Sequence, residues 1–199
     1  MLRKQCEIKD PEKIKAILAA ATIGRLATTD VGGYPYITPV NFVYYQGNIY
    51  FHCAPKGEKL DNIKRNAKVC FEVDIPLAYL DAGFTVDRSP CKLHQFYHCV
   101  VIRGNAGIVP DGQLKLNALN ALVAKHEKGK KFKAVHADMA DYKACRVVEI
   151  KPDKMTAKSE LAQGKPEEAR IAIAKHLKTR GGGTDMETIR AFGLSPDRL

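Results

Sequence analysis

The chain has 199 residues, 45% hydrophobic and 27% charged, with a formal net charge of +10. That length suits one well-cored domain, or a domain with an appendage, and the composition is that of a globular protein. No apolar run approaches the ~20 residues that cross a bilayer as a helix, and residues 1–7 lack the apolar stretch of a signal peptide.

The six cysteines (6, 53, 70, 91, 99 and 145) show no CxxC pair. Cys70, Cys99 and Cys145 lie in apolar runs, where a cysteine behaves as a small hydrophobe, so a reducing, cytoplasmic setting is expected. The basic surplus is dense at residues 125–133 and 151–180. It reads as a solvated surface that favours anionic ligands. With no zinc-finger spacing and no aromatic-interleaved basic ladder, nucleic acid is not an expected partner, nor is a membrane.

Asp10-Pro11-Glu12 is a helix start, with an Asp N-cap, Pro at the first position and an acid in the first turn. Ile14, Ile17, Leu18 and Ala21 mark one apolar face of that helix. Residues 23–29 read as a strand and Asp30-Val31-Gly32-Gly33 as its turn. Residues 36–45, rich in β-branched and aromatic side chains, read as one strand. Gln46-Gly47-Asn48 supplies a hairpin turn, and 49–53 return. Ala54-Pro55-Lys56-Gly57 breaks the pattern. Residues 58–65 then carry Leu60, Ile63 and Lys64 at helical spacing, with Asn66 at the C-cap and a third strand at 69–73.

Residues 75–93 show no period and read either as a lid or as a segment packed on a partner subunit. Residues 95–109 are a long β pattern holding Gly104 and Gly107, glycines of the kind that mark a bulge or a close backbone approach. Asp111 is expected to cap a helix at 113–126, with Leu116, Leu119, Leu122 and Val123 on one side. Residues 145–150 and 155–158 read as closing strands joined by a turn at 151–154. A last helix at 166–177 opens with Pro and two glutamates, and 180–184 form a glycine-rich joint. Helices are thus expected at 11–22, 58–66, 112–128 and 166–178.

Between the strand at 49–53 and the helix at 58–65 lie His52, Lys56, Gly57 and Lys59. A glycine turn that opens a helix presents free N–H groups and a positive dipole end, and lysines add charge; such a turn suits a phosphate. The bland alternative is a surface turn with incidental lysines. His52 either supplies a proton or binds an anion near neutral pH, or is simply a half-buried strand residue. His94 and His98 share a strand face from which Cys99 points away, so no metal is assigned there. There is no GxSxG, no HExxH and no Walker loop, and the carboxylates are scattered. This suits a protein whose cofactor carries the chemistry.

The order of these pieces resembles the flavin-binding split barrel of the pyridoxamine 5′-phosphate oxidase superfamily, in its nitroimidazole-resistance branch. The residues that carry the likeness are Gly24-Arg25-Leu26-Ala27-Thr28, Gly33-Tyr34-Pro35, His52-Cys53-Ala54, Gly57-Glu58-Lys59, Asn66, Val69-Cys70-Phe71-Glu72-Val73 and residues 97–106. It covers roughly residues 14–158. The resemblance implies a mainly β fold, an antiparallel split β-barrel with peripheral helices, as a domain at 1–160 followed by a helical extension at 161–199. It implies FMN, with Thr38, Pro39, Val40 and Asn41 along the isoalloxazine. His52, Cys53, Gly57 and Lys59 would meet the phosphate or ring edge, and Cys99 would reach the flavin from a later strand across a dimer interface.

A homodimer is therefore expected, with Phe96, Val100 and Ile102 assigned to its contact face. The implied activity is an FMN-dependent oxidoreductase that passes electrons to a small planar acceptor such as a nitroaromatic. His52 is its candidate catalytic residue. A flavin- or haem-binding module without turnover is the alternative. Tyr36 and Asn41 stand where the true oxidases carry basic residues, which argues against pyridoxamine phosphate as substrate.

Overall fold

The computed structural model describes residues 3–199. In chain order it holds β1 (Glu7–Ile8), α1 (Pro11–Ala20), β2 (Ile23–Thr29), β3 (Pro35–Asn41), β4 (Val43–Tyr45), β5 (Asn48–Cys53), α2 (Glu58–Arg65) and β6 (Lys68–Leu80). There follow β7 (His94–Val109), α3 (Gln113–His126), α4 (Ala140–Ala144), β8 (Arg146–Glu160), α5 (Glu167–Arg180) and α6 (Asp185–Ala191). The sheet runs in the order β3-β2-β6-β7-β8-β5-β4, with β1 added on β8. The chain divides into two compact units, and β6, β7 and β8 contribute residues to both.

The larger unit comprises Asp10–Val73 and Val100–Thr156. Its first helix starts as expected, with the Asp10 carboxylate accepting from the Glu12 N–H at 2.9 Å. Asp30 makes the β2–β3 turn by accepting from the Tyr34 N–H at 2.9 Å, with Gly33 at φ +85°. The expected single strand at 36–45 is two strands. β3 pairs with β2 and β4 pairs with β5, and the chain changes partner at Phe42. Phe42 is fully buried, its ring edge-on to Phe71 at 5.1 Å, so core packing rather than strand continuity decides its place.

Two more expectations change here. The turn at 151–154 does not form, and β8 is continuous through it. Gly104 lies against that segment so closely that a Cβ there would stand 2.1 Å from the Lys151 carbonyl oxygen, the close backbone approach that a strand glycine signals. Asp111 does not cap α3; Gly112 is the N-cap, and the Asp111 carboxylate accepts from the Lys115 ammonium at 2.9 Å. A lysine within reach of a carboxylate one turn away outcompetes the backbone N–H.

The smaller unit comprises the segment ending at Lys9, Asp74–Cys99 and Ala157–Leu199. The β-strand expected at 69–73 continues through β6 to Leu80, so only part of 75–93 is irregular, and Ala82–Phe84 and Pro90–Lys92 are short 3-10 turns. Leu77, Ala78 and Leu80 of β6 pack with Phe96, Ile173, Ala174, Leu177, Ile189 and Phe192. Phe96 is therefore core rather than contact face, and Val100 and Ile102 are equally buried in the larger unit. Strand alternation had marked one apolar side of β7 without saying what covers it. α5 runs on to Arg180 and ends on Gly181 in the left-handed region. Arg180 then ties the joint, donating to the buried Asp185 carboxylate at 2.5 and 3.0 Å, to the Tyr79 carbonyl at 2.7 Å and to Asp81.

In the larger unit, α3 is fastened to α1 by Lys125, which donates to the Leu18 carbonyl at 2.9 Å and lies 3.5 Å from the centroid of the Phe42 ring. Burial pushes the Lys125 ammonium down from 10.5 to about 8. Between those values the unfolded chain binds more protons than the folded one, so stability rises as pH rises through this window, and below about 8 the cost is present in full. Denaturant midpoints taken at about pH 7.5 and pH 10 should rise more for the wild type than for Lys125→Met. Equal increments in the two proteins would contradict this.

Candidate functional site

β5 and β8 pair antiparallel, with Phe51 opposite Val148, His52 opposite Val147 and Cys53 opposite Arg146. Successive strand residues face opposite sides, so Tyr50 and His52 share one face and Phe51 and Cys53 the other. Ile49, Tyr50 and Phe51 are buried, and His52 is the first residue after them to emerge. It emerges into a cavity of ≈ 500 Å³, within the range of about 300–1,000 Å³ that small-molecule sites occupy. Asn41, at the end of β3, lines the same cavity, its side-chain amide donating to the Thr22 carbonyl at 3.3 Å.

The opposite wall is α3, through Leu119, Leu122, Val123 and His126, and the outer wall is the segment from Val135 to Cys145. His126 Nε2 lies 3.3 Å from the Phe42 carbonyl oxygen. Two side chains of α3 pin the outer wall. Asn120 accepts from the Val135 N–H at 2.8 Å and donates to its carbonyl at 3.1 Å, as a paired strand would. Lys115, 1% exposed, donates to the Tyr142 carbonyl at 2.6 Å and the Cys145 carbonyl at 2.9 Å. The Tyr142 hydroxyl in turn accepts from the Gly112 N–H at 2.8 Å.

None of this wall was expected from the sequence. One signal was present: Lys115, Ala118, Leu119 and Leu122 follow helical spacing, which places a lysine on the apolar face. A buried lysine at such a position needs acceptors, and the carbonyls of 142–145 supply them.

The turn after β5 ends on Gly57 at φ +141°, the N-cap of α2, and no side chain caps that helix. Its first turn carries Glu58, and Asp61, 3.8 Å from Lys64. Burial pushes the Cys53 thiol above its ordinary range, and the charge of half-buried Lys59 offsets this only in part. On β3, Thr38 and Val40 are half-buried, and Pro39 and Asn41 are exposed. Thr38 Oγ1 is buried and has no hydrogen-bond partner among the described residues. Asn41 and His52 thus share the cavity, and Cys53 lies within electrostatic reach of Lys59 but faces away from His52. Cys99 is half-buried and belongs to the smaller unit. Among the described residues no group of three His, Cys, Asp or Glu side chains is placed to hold a metal ion.

Comparison with solved structures defines the class of fold. A protein from Bacteroides thetaiotaomicron, provisionally assigned to 5-nitroimidazole antibiotic resistance, matches at 24% identity and TM-score 0.65, over 77% of this chain and 86% of its own. The flavocytochrome Anf3 from Azotobacter vinelandii matches at 21% identity and TM-score 0.66, over 84% and 75%. An FAD and heme binding protein from Mycobacterium smegmatis matches at 16% identity and TM-score 0.68, over 83% and 78%. These likenesses show the fold, the antiparallel split β-barrel with several helices. No curated protein matches the chain. The family model described as pyridoxamine 5′-phosphate oxidase matches residues 10–159, and the chain belongs to that family.

The pinned wall can be tested without any ligand. Lys115→Ala leaves two carbonyls of the outer wall without a donor, and each such loss costs about 1–3 kcal/mol. A destabilisation of about 2–4 kcal/mol is expected, with local hydrogen exchange fastest in 140–145. A change within the ±0.5 kcal/mol typical of a surface lysine would contradict the role.

Proposed function

We propose that this protein is an FMN-dependent oxidoreductase that works as a homodimer and passes electrons to a small planar acceptor. The observation that carries this reading is the adjacency in the chain of the uncapped N-terminus of α2, with Lys59 in its first turn, to the strand end where His52 opens into the cavity. Family membership supports a flavin in this fold, and nitro reduction agrees with the description of the Bacteroides protein.

The residues present fit the cofactor. A phosphate needs N–H donors and a cation, and the Gly57 turn offers both, with no side chain occupying the helix end. Lys59 offsets the negative charge that Glu58 brings to the same turn. Thr38 Oγ1, without a partner among the described residues, and the main chain from Thr38 to Asn41 provide polar groups for a ring edge. When bound, FMN would supply one- and two-electron transfer. The protein's own part is to bind and orient. Lys59 and the Gly57 turn hold the phosphate, Asn41 borders the ring, and the His52 imidazole holds or delivers a proton at the cavity. The apolar side chains of α3 exclude water from the acceptor.

Pyridoxamine phosphate does not suit this cavity, because no lysine or arginine lines it and a second phosphate would lack a clamp. A homodimer is supported by the edge strand β3 and its neighbour β2. They expose Ile37 at 59% and Ile23 at 49%, with Tyr34 beside them at 73%.

Lys59→Ala tests the phosphate assignment. Charge-assisted contacts contribute on the order of 1.5–3 kcal/mol, so FMN affinity should fall roughly tenfold to a hundredfold. The apoprotein melting temperature should be unchanged. Equal FMN affinity in the two proteins, measured by flavin fluorescence quenching, would rule the assignment out.

A further inference from the structure

The cavity carries a charge pattern that the flavin reading does not use. Its walls are apolar over Leu119, Leu122, Val123, Val135 and Met139, while its polar lining is Asn41, His52, His126, Glu127 and Asp141. Glu127 is paired with Lys130 at 3.2 Å, but Asp141 makes no ion pair among the described residues. The lysines of the same segment, Lys128, Lys131 and Lys133, are exposed and do not line the cavity. Asp141 is itself exposed, but as a lining residue it acts on a bound ring at contact range, whereas those lysines act only at a distance through water. A basic protein of net charge +10 thus holds a cavity whose lining charge is acidic.

We propose that this cavity, between α3 and the 135–145 wall, is an aromatic-ring site that selects cationic over neutral and neutral over anionic ligands, with Asp141 as the selecting group. The acceptor of the proposed reaction would then be a neutral or basic heteroaromatic ring. In that respect the inference rests on the flavin reading. A flat ring lies between the α3 side chains and Val135, and a ring N–H or amidinium group meets the Asp141 carboxylate. Glu127 contributes less because Lys130 offsets it. An anionic ring would bring its charge against Asp141 and find no lysine or arginine on the lining. Asn120 and Lys115 are positioning residues here, since they hold the wall that carries Val135 and Asp141.

The test uses flavin-free protein and three probes that share one ring and differ in charge: benzamidinium, benzamide and benzoate, titrated by ligand-observed NMR. Benzamidinium should bind tighter than benzamide, and benzoate weakest, with steps of roughly two- to fivefold, as expected for a partly solvated carboxylate. Asp141→Asn should remove the advantage of benzamidinium over benzamide and leave benzamide binding as it was. Met139→Trp, at an exposed position on the rim, should weaken all three probes without perturbing the fold. Benzoate binding tightest, a preference that survives Asp141→Asn, or no ring binding at all would each overturn the proposal. Ring selection in a protein that takes up no FMN would overturn the flavin reading alone. FMN uptake with a preference for benzoate would overturn the ring selection alone.

Discussion

The register of β5 on β8 is the constraint on which the site depends. A slip of one residue would turn His52 towards the opposite face and send Cys53 into the cavity. The register is held from both sides of the strand. Ile49 and Phe51 are buried in the sheet core, while Tyr50 is buried under α3 beside Val147 and Tyr142. The Tyr50 hydroxyl donates to Glu149 Oε1 at 2.6 Å and Asn48 donates to the same oxygen at 2.9 Å, which fixes the pairing at the strand's start. With both ends decided, the strand delivers His52 to the cavity and Cys53 towards Lys59.

The second structural theme is that α3 uses polar side chains to do what apolar ones cannot. Leu119 and Leu122 hold the helix against the sheet, yet apolar contact is non-directional and would not set where the 135–145 segment lies. Asn120 and Lys115 do set it, because their acceptors are particular backbone carbonyls. Burying an ammonium is costly unless every proton finds a partner, and Lys115 meets that condition with Asp111, Tyr142 and Cys145. Lys125 meets it less fully, with one carbonyl and one aromatic face, and its lowered proton affinity is the consequence.

Much of this chain is legible because local chemistry and tertiary placement agree. Asp10-Pro11 starts α1, Asp30 with Gly33 turns β2 into β3, and the Gly57 turn opens α2. Where they disagree, packing prevails. Phe42 has every local reason to continue a strand but sits in the core, so the chain changes sheet partner there. Phe96, Val100 and Ile102 alternate as an interface strand would, and only the fold shows that protein already covers them. The turn-like Lys151-Pro152-Asp153-Lys154 is carried through β8 by its neighbour at Gly104. On the candidate site, His52 could be picked out by its place in the strand–turn–helix order, and Asn41 only through the family resemblance. The far wall could not, because residues 127–139 have no periodicity and their position is dictated by side chains of a helix that precedes them.

The claim that ties these parts together is that the turn between β5 and α2 is where an FMN phosphate is held. Its most direct test is an amide-resolved NMR titration of the flavin-free protein with FMN, in parallel with the phosphorus resonance of the ligand. The account predicts that the amides of Gly57, Glu58 and Lys59 move most per equivalent of FMN, and that riboflavin, which lacks the phosphate, leaves them in place. Saturable FMN binding with those three amides unmoved would contradict it.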